Sequence, residues 1–340
     1  TACSSNSINE NIGTINNPNN TNNGNNSSGV WLVPLSEIKD GGPGKDGIPS
    51  IDNTNFTSAG LASNLNDDDL LIGTIANGGP KAYPHKILDW HEIINDDSTT
   101  ISYCPLTGTA FGWESYIDEE ETTFGVSGLL YNSNLILYDR KTGSNWSQLR
   151  LECINGKHIE SKPILTKIIE TNWKTWRSLY PNTKVLSTNT GFDRTYGKSP
   201  YGDYASNNSF FLFPVDVDPR LPSKQRVMAI VRDDKAKVYE HNPDSLLEDS
   251  FKEKKYLIVN GPTFMVAFEK GRDYSTLSFE YVYDGTSDIV LKDDQNNEWN
   301  IFGEAVSGPL AGQKLGEAPY FMAFWFSVPA FYETEIYGQN

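Results

Sequence analysis

Cys104 is the side chain in this sequence whose type and setting most suggest chemistry. It ends the alternating run of "TTISYCPLTGTAFGW" (99–113) and is followed by Pro105 and Gly108. Just upstream, in "AYPHKILDWHEIIND" (82–96), Ile87, Leu88, His91 and Ile94 recur at helical spacing. That spacing predicts a short helix with His91 on its apolar face, running directly into the strand that bears Cys104. His85 and Glu92 lie off the stripe. A helix packed on its neighbouring strand can bring an imidazole and a thiol within a few ångströms. A thiolate with an imidazole suits a mononuclear copper site, and zinc less well. The third ligand would come from Glu92, Asp89, Tyr131 or a backbone oxygen. Four histidines in the whole chain argue against a multi-histidine site. The same pair also suits nucleophilic catalysis, with Cys104 as thiolate, His91 as base and Asn95 or Asp89 orienting it. The amides of "CPLTGT" would then form an oxyanion hole, although no cysteine-hydrolase signature accompanies the pair. Taken singly, His91 is an ordinary core histidine and Cys104 an inert small hydrophobe.

What positions these residues is a repeat. "LLIGTIANGGPKAYP" (70–84) is echoed by "RVMAIVRDDKAKVYE" (226–240), "ISYCPLTGTAF" by "LIVNGPTFMVAF" (257–268), and "LILYDRKTGSNWSQ" (135–148) by "IVLKDDQNNEWNI" (289–301). Pro105 thus matches Pro262, Asp139 matches Asp293, and Trp146 matches Trp299. Features present twice are most simply structural. Cys104, which aligns with Gly261, and His91, which aligns near Leu247, are present once. The strands are short, turn-bounded and rich in Ile, Val, Thr and Tyr. Helical pattern is confined to about 84–95, 171–180 and 320–331. The expected fold is α+β, mainly β, with two related β-rich halves and a few short helices. Residues 1–30 read as a disordered tether, 31–65 as a lead-in segment packing on the first half, and 66–190 as the first repeat with the candidate site. A Gly/Pro/Asn-rich connecting loop (191–223) and the second repeat (224–340) follow. Long loops of that kind often border sites.

Composition narrows the partners. The 340 residues carry 44 acidic and 28 basic side chains, a net charge of −16. Such a surface repels nucleic acid and anionic lipid. No stretch approaches the roughly 18 to 20 apolar residues of a membrane helix. "GGPGKDG" (41–47) lacks the strand-then-helix setting of a phosphate loop, so no nucleotide cofactor is expected. "NDDD" (66–69) lacks the spaced ligands of a calcium loop. The three cysteines, Cys3, Cys104 and Cys153, fit no zinc ribbon or CxxC motif, and the sequence leaves a Cys104–Cys153 disulfide open. Thr1-Ala2-Cys3 looks like the end of a lipobox, with Cys3 as the lipidated residue. The Asn/Ser/Gly/Thr-rich stretch behind it has no apolar periodicity and reads as a flexible tether. This predicts a monomeric, extracytoplasmic, lipid-anchored protein of the periplasm or outer membrane of a Gram-negative bacterium. Lipid would be its only link to the membrane.

Five blocks carry a resemblance: "GGPGKDGIPSIDNTNF" (41–56), "KAYPHKILDWHEIIND" (81–96), "YCPLTGTA" (103–110), "TFGVSGLLYNSNLILYDRKTGSNWSQL" (123–149) and "TGFDRTYGKSPYGDY" (190–204). They resemble the signature blocks of the bacterial DUF3179 family, and the C-terminal "FWFSVPAFYETEIY" is similar to its closing segment. The resemblance implies secreted or lipid-anchored proteins and supplies no activity. His91 and Cys104 fall inside its blocks. His85 stands where an apolar residue is expected, and His158, His241 and Cys153 lie outside them, which argues against those four as ligands. A third reading is a non-catalytic module binding a glycan or peptide. Glu92, Tyr131, Asn132, Asp139, Arg140, Trp146, Ser147 and Gln148 are the candidates to line such a cleft beside Cys104. The ligand classes left are a small molecule, a metal such as copper, or a glycan.

Overall fold

A computed structural model of the chain describes residues 29–76 and 78–339. Cys3 and the expected tether up to residue 28 lie outside the described residues. The longer strands form three sheets per repeat, in matching order, and a two-stranded sheet (Tyr116–Ile117, Glu120–Glu121) is added in the first. Sheet I runs Ile169–Asn172, Leu70–Ala76, Gly79–Pro84, Lys184–Leu186, and its counterpart I′ runs Tyr320–Phe324, Arg226–Arg232, Lys235–Glu240, Glu333–Ile336. In both, the last of these four strands is parallel to its neighbour while the others pair antiparallel. Sheet II (Ile93–Asp96, Thr99–Cys104, Thr109–Glu114, Leu165–Thr166) is matched by II′ (Ser245–Phe251, Lys254–Asn260, Met265–Glu269, Gly316–Glu317). Sheet III (Phe124–Tyr131, Asn134–Asp139, Asn145–Ser147, Glu152–Asn155) is matched by III′ (Phe279–Tyr281, Ile289–Asp293, Glu298–Asn300, Ala305–Ser307), with a register shift at the same place in the last strand pair of each. The chain is therefore mainly β, built by duplication.

The repeats interlock rather than stand side by side. One core joins sheets II and III to I′, through residues such as Phe111, Trp113, Trp146, Val227 and Phe321. Its mate joins II′ and III′ to sheet I, through Leu257, Phe268, Trp299, Leu71 and Trp176. Two smaller cores lie between I and II and between I′ and II′. Buried apolar surface is the dominant favourable term in folding, so neither repeat completes its core without the other. The tight turns do the docking. The Phe324 amide donates to the Thr107 carbonyl at 2.8 Å, and across the pseudo-twofold Thr263 bonds Thr171 at 2.8 Å.

The lead-in segment extends two sheets of the first repeat: Ile38–Asp40 pairs with Leu129–Tyr131, and Phe56–Ser58 with Lys184–Leu186. Neither added strand has a counterpart in I′ or III′. Two of the three helical expectations hold as single short helices, α1 (His85–His91) and α2 (Trp173–Leu179). The first stops short, because Ile93–Asp96 is already a strand. The third, at 320–331, is corrected: Tyr320–Phe324 is a strand paired residue for residue with Arg226–Ile230, followed by a short 3-10 turn. Its large aromatics suit a pleated, half-buried surface, and pairing overrides the helical spacing.

The duplication separates scaffold from site. Lys81-x-Tyr83-x-His85 recurs as Lys237-x-Tyr239-x-His241. Lys81 and Tyr83 both bond the Asp96 carboxylate, at 2.5 and 2.6 Å. Lys237 and Tyr239 bond Asp249 in the same way, at 2.7 and 2.9 Å. Likewise Trp146 donates to Asp139 at 3.2 Å and Trp299 to Asp293 at 2.9 Å. These satisfied groups, buried in the first repeat and partly so in the second, stabilise the repeat itself.

Candidate functional site

His91 and Cys104 are both buried, but the imidazole is engaged elsewhere. His91 Nδ1 lies 2.7 Å from the Pro49 carbonyl, which can only accept, so Nδ1 carries the proton. Nε2 then accepts from the Tyr196 hydroxyl at 2.6 Å, and Tyr196 in turn meets Thr190 at 2.5 Å. Burial lowers the His91 pKa, so the ring is neutral with no free lone pair. As placed, it neither ligates a metal nor takes a proton from Cys104. The Cys104 sulfur lies 3.8 Å from the Ser133 carbonyl, and burial, assisted by the charge of Glu92, pushes its pKa up to about 11. It is a protonated thiol at neutral pH, the opposite of an activated nucleophile. Cys104 and Cys153 are both free thiols. Among the described residues, no group of three or more His, Cys, Asp or Glu side chains is arranged to hold a metal ion.

The expected cleft residues separate. Asp139, Trp146 and Gln148 are fully buried. Gln148 accepts from Thr109 and Asn134 at 2.7 and 2.8 Å and donates to Ser102 at 3.0 Å, which braces the Cys104 turn from behind. Asn132 donates to the Ala330 carbonyl at 2.7 Å, and Tyr131 meets Phe331 edge-on. Arg140 bonds Asp52 and Ser50 of the lead-in segment, at 2.7 and 2.6 Å. Ser147 Oγ is buried with no hydrogen-bond partner. Of the set, Glu92 alone acts electrostatically on Cys104.

Glu92 belongs to the other face of α1. His85, Asp89 and Glu92 follow one another at i, i+4 and i+7, a polar stripe opposite the apolar one. Glu92 ends the helix with φ 57° and ψ −33°, its amide on the Leu88 carbonyl at 2.8 Å and its carbonyl on the Tyr103 amide at 2.7 Å. A non-glycine residue held there costs on the order of 1–3 kcal/mol, and such strain concentrates at functional positions. The turn aims the Glu92 carboxyl into the protein, where Tyr201 donates to it at 3.0 Å. Burial pushes Glu92 up to about 7, with the Tyr201 bond opposing and the Asp89 charge adding to the rise. Asp89 is partly exposed, has no side-chain hydrogen bond or ion pair among the described residues, and burial pushes it up to about 7 as well.

Further along the stripe the His85 ring packs against Tyr103, centroids 4.4 Å apart and planes tilted by 44°. His85 Nε2 lies 3.5 Å from Glu170 Oε2, and both atoms are buried without a hydrogen bond. Burial and the Arg226 charge hold His85 well below its usual range. Burial raises Glu170, and Arg226 pulls the other way. Arg226, from the second repeat, pairs with Glu170 Oε1 and donates to the Gly108 carbonyl at 3.0 Å. Gly108 has φ 63°, and a Cβ there would fall 2.5 Å from the guanidinium. The connecting loop covers the cluster: Tyr196 holds His91, Tyr201 holds Glu92, and Lys224 pins Tyr204 from above its ring, 3.0 Å from the centroid.

None of this is repeated in the second half apart from the histidine. Gly261 stands for Cys104, Asn260 for Tyr103, and Ser245 for Glu92. By strand register, Met322 stands for Glu170 and Leu70 for Arg226. A link without a helix (241–244) replaces α1, and His241 there bonds the Gly261 carbonyl at 2.8 Å. His85 and Glu92 were legible as lying off the apolar stripe of the helix, and Asp89 as a possible partner of Cys104 and His91. Glu170, Tyr201 and Arg226 had no local sequence signal.

The model of a family described as a protein of unknown function (DUF3179) matches residues 45–335. No curated protein and no solved structure matches the chain.

Proposed function

The chain belongs to the DUF3179 family, which brings no activity with it, and from its own geometry we propose a proton-transfer site on the polar face of α1. Asp89 is the solvent-facing group that meets the ligand. Glu92, held by Tyr201, is its proton partner, and Cys104 serves as a neutral thiol beneath them. What carries this reading is a buried carboxyl beside a half-buried one, neither with an ion-pair partner among the described residues, placed on a strained helix end and absent from the sister repeat. A carboxyl poised near neutral pH can both give and take a proton, which suits acid–base work on a small molecule. The connecting-loop tyrosines must shift to admit a ligand to Glu92. The lipobox-like Thr1-Ala2-Cys3 and the polar stretch behind it support an extracytoplasmic, lipid-anchored setting.

The test is a thermal-shift screen of weak acids, amines and thiols, run at about pH 6 and about pH 8. Ligands of this site will stabilise the protein differently at the two pH values and lose their effect in Asp89→Asn. Stabilisation that ignores both pH and Asp89 contradicts the reading. So does stoichiometric copper in the purified protein that disappears in Cys104→Ser, which would restore the metal site.

A further inference from the structure

A groove of about 540 Å³ lies at the outer edge of sheet I and shares no residue with the α1 cluster. It is lined by Thr54 and Phe56–Ser58, by Asn182–Lys184, and by Lys81, Asp96 and Asp97. The strand Phe56–Ser58 in this lining has no counterpart in the second repeat, so the groove exists once. The facing position also differs. Lys184 lies opposite Lys81, whereas in the second repeat Glu335 lies opposite Lys237 and pairs with it at 3.6 Å. Where the second repeat closes this edge with an ion pair, the first leaves it open, and Lys184 has no ion-pair partner among the described residues.

The lining selects a ligand class. Two ammonium groups and two carboxylates balance, so neither an anion nor a cation is favoured. Phe56 is the one apolar wall residue, which excludes a hydrophobic ligand. What remains are the side chains of Thr57, Ser58 and Asn182, which both donate and accept hydrogen bonds beside a partly exposed aromatic ring, while Thr54 already donates to Asp96 at 3.0 Å and buried Thr183 accepts from the Trp176 indole at 2.9 Å. Lys81 stands 5.0 Å from that ring and Tyr83 meets it edge-on, which fixes its orientation. We propose that this groove binds a neutral sugar of one or two rings, hydroxyls on the polar walls and a C–H face against Phe56. Its volume falls within the usual range for small-molecule sites.

Isothermal titration with neutral mono- and disaccharides tests this, with inorganic phosphate and putrescine as charged controls. At least one sugar will bind in the millimolar range and the controls will not. Thr57→Trp, which fills the groove, and Asp97→Ala, which removes an exposed carboxylate, will each weaken binding by about tenfold or more. Thr57→Trp keeps the parental melting temperature, Asp97→Ala lowers it slightly by removing the 3.6 Å ion pair with Lys81 at a position of φ 51°, and Asp89→Asn leaves sugar binding unchanged, so this inference and the proton-transfer site fail separately. Absence of binding by every sugar, tighter binding of a control, or equal binding by the groove variants overturns it.

Discussion

Glu92→Gln will stabilise the protein at about pH 8 and leave it nearly unchanged at about pH 4.5. In the folded chain Glu92 is raised from 4.5 to about 7. Between those values the folded state keeps a proton that the unfolded state has released. Stability from this group therefore falls as pH rises through the window and stays low above it. Glutamine cannot ionise, keeps an oxygen for the Tyr201 hydroxyl, and removes the penalty. At roughly 1.4 kcal/mol per unit the ceiling is about 3 kcal/mol, and relaxation around the charge brings the expectation to about 2. For a chain of this size that is a rise of about 3 °C in melting temperature, read by scanning calorimetry across pH. A group that lowers stability where the protein works is expected at a functional site. Equal destabilisation by Glu92→Gln at both pH values would mean that the carboxylate is a stabilised charge, and the site would lose its acid–base character.

Arg226→Leu will destabilise the protein by about 3 kcal/mol, because it leaves the Glu170 carboxylate buried beside a neutral histidine. The loss will be larger at about pH 8 than at about pH 5, since burial raises the Glu170 pKa and protonation relieves the uncompensated charge. Adding Glu170→Met will restore most of the stability. The double variant copies the apolar pair that the duplication places at the equivalent positions, Leu70 and Met322, where the fold is already stable without charge. Chemical denaturation of both singles and the double gives the coupling directly. A double variant as unstable as Arg226→Leu alone would mean that the ion pair is part of the scaffold rather than an addition to it.

These expectations depend on the duplication, which is where the sequence was most informative. The matched Trp146/Trp299, Asp139/Asp293 and Pro105/Pro262 pairs mark equivalent positions, and their agreement survives in three pairs of sheets. The segment 320–331 misled because aromatics at helical spacing are equally compatible with a strand, and only the partner strand Arg226–Arg232 decides. The site was half legible. Cys104 and Glu92 do lie together, but the partner first expected, His91, sits on the apolar stripe of α1, and that stripe faces Pro49 and Tyr196. The polar stripe of a short helix reads as solvated surface until tertiary structure covers it. Here the cover comes from a loop about a hundred residues downstream, and the counter-charge comes from the other repeat. Neither contact leaves a local pattern.

The central claim is that Asp89 and Glu92, rather than the Cys104 thiolate, are the groups poised to exchange protons near neutral pH. Carbon-13 NMR of side-chain carboxyls, assigned with Asp89→Asn and Glu92→Gln, follows both titrations directly. Midpoints near 7 are expected for both, with the Cys104 β-carbon unshifted below about pH 10. Carboxyls titrating below about pH 5, with a Cys104 thiolate already present at neutral pH, would contradict it.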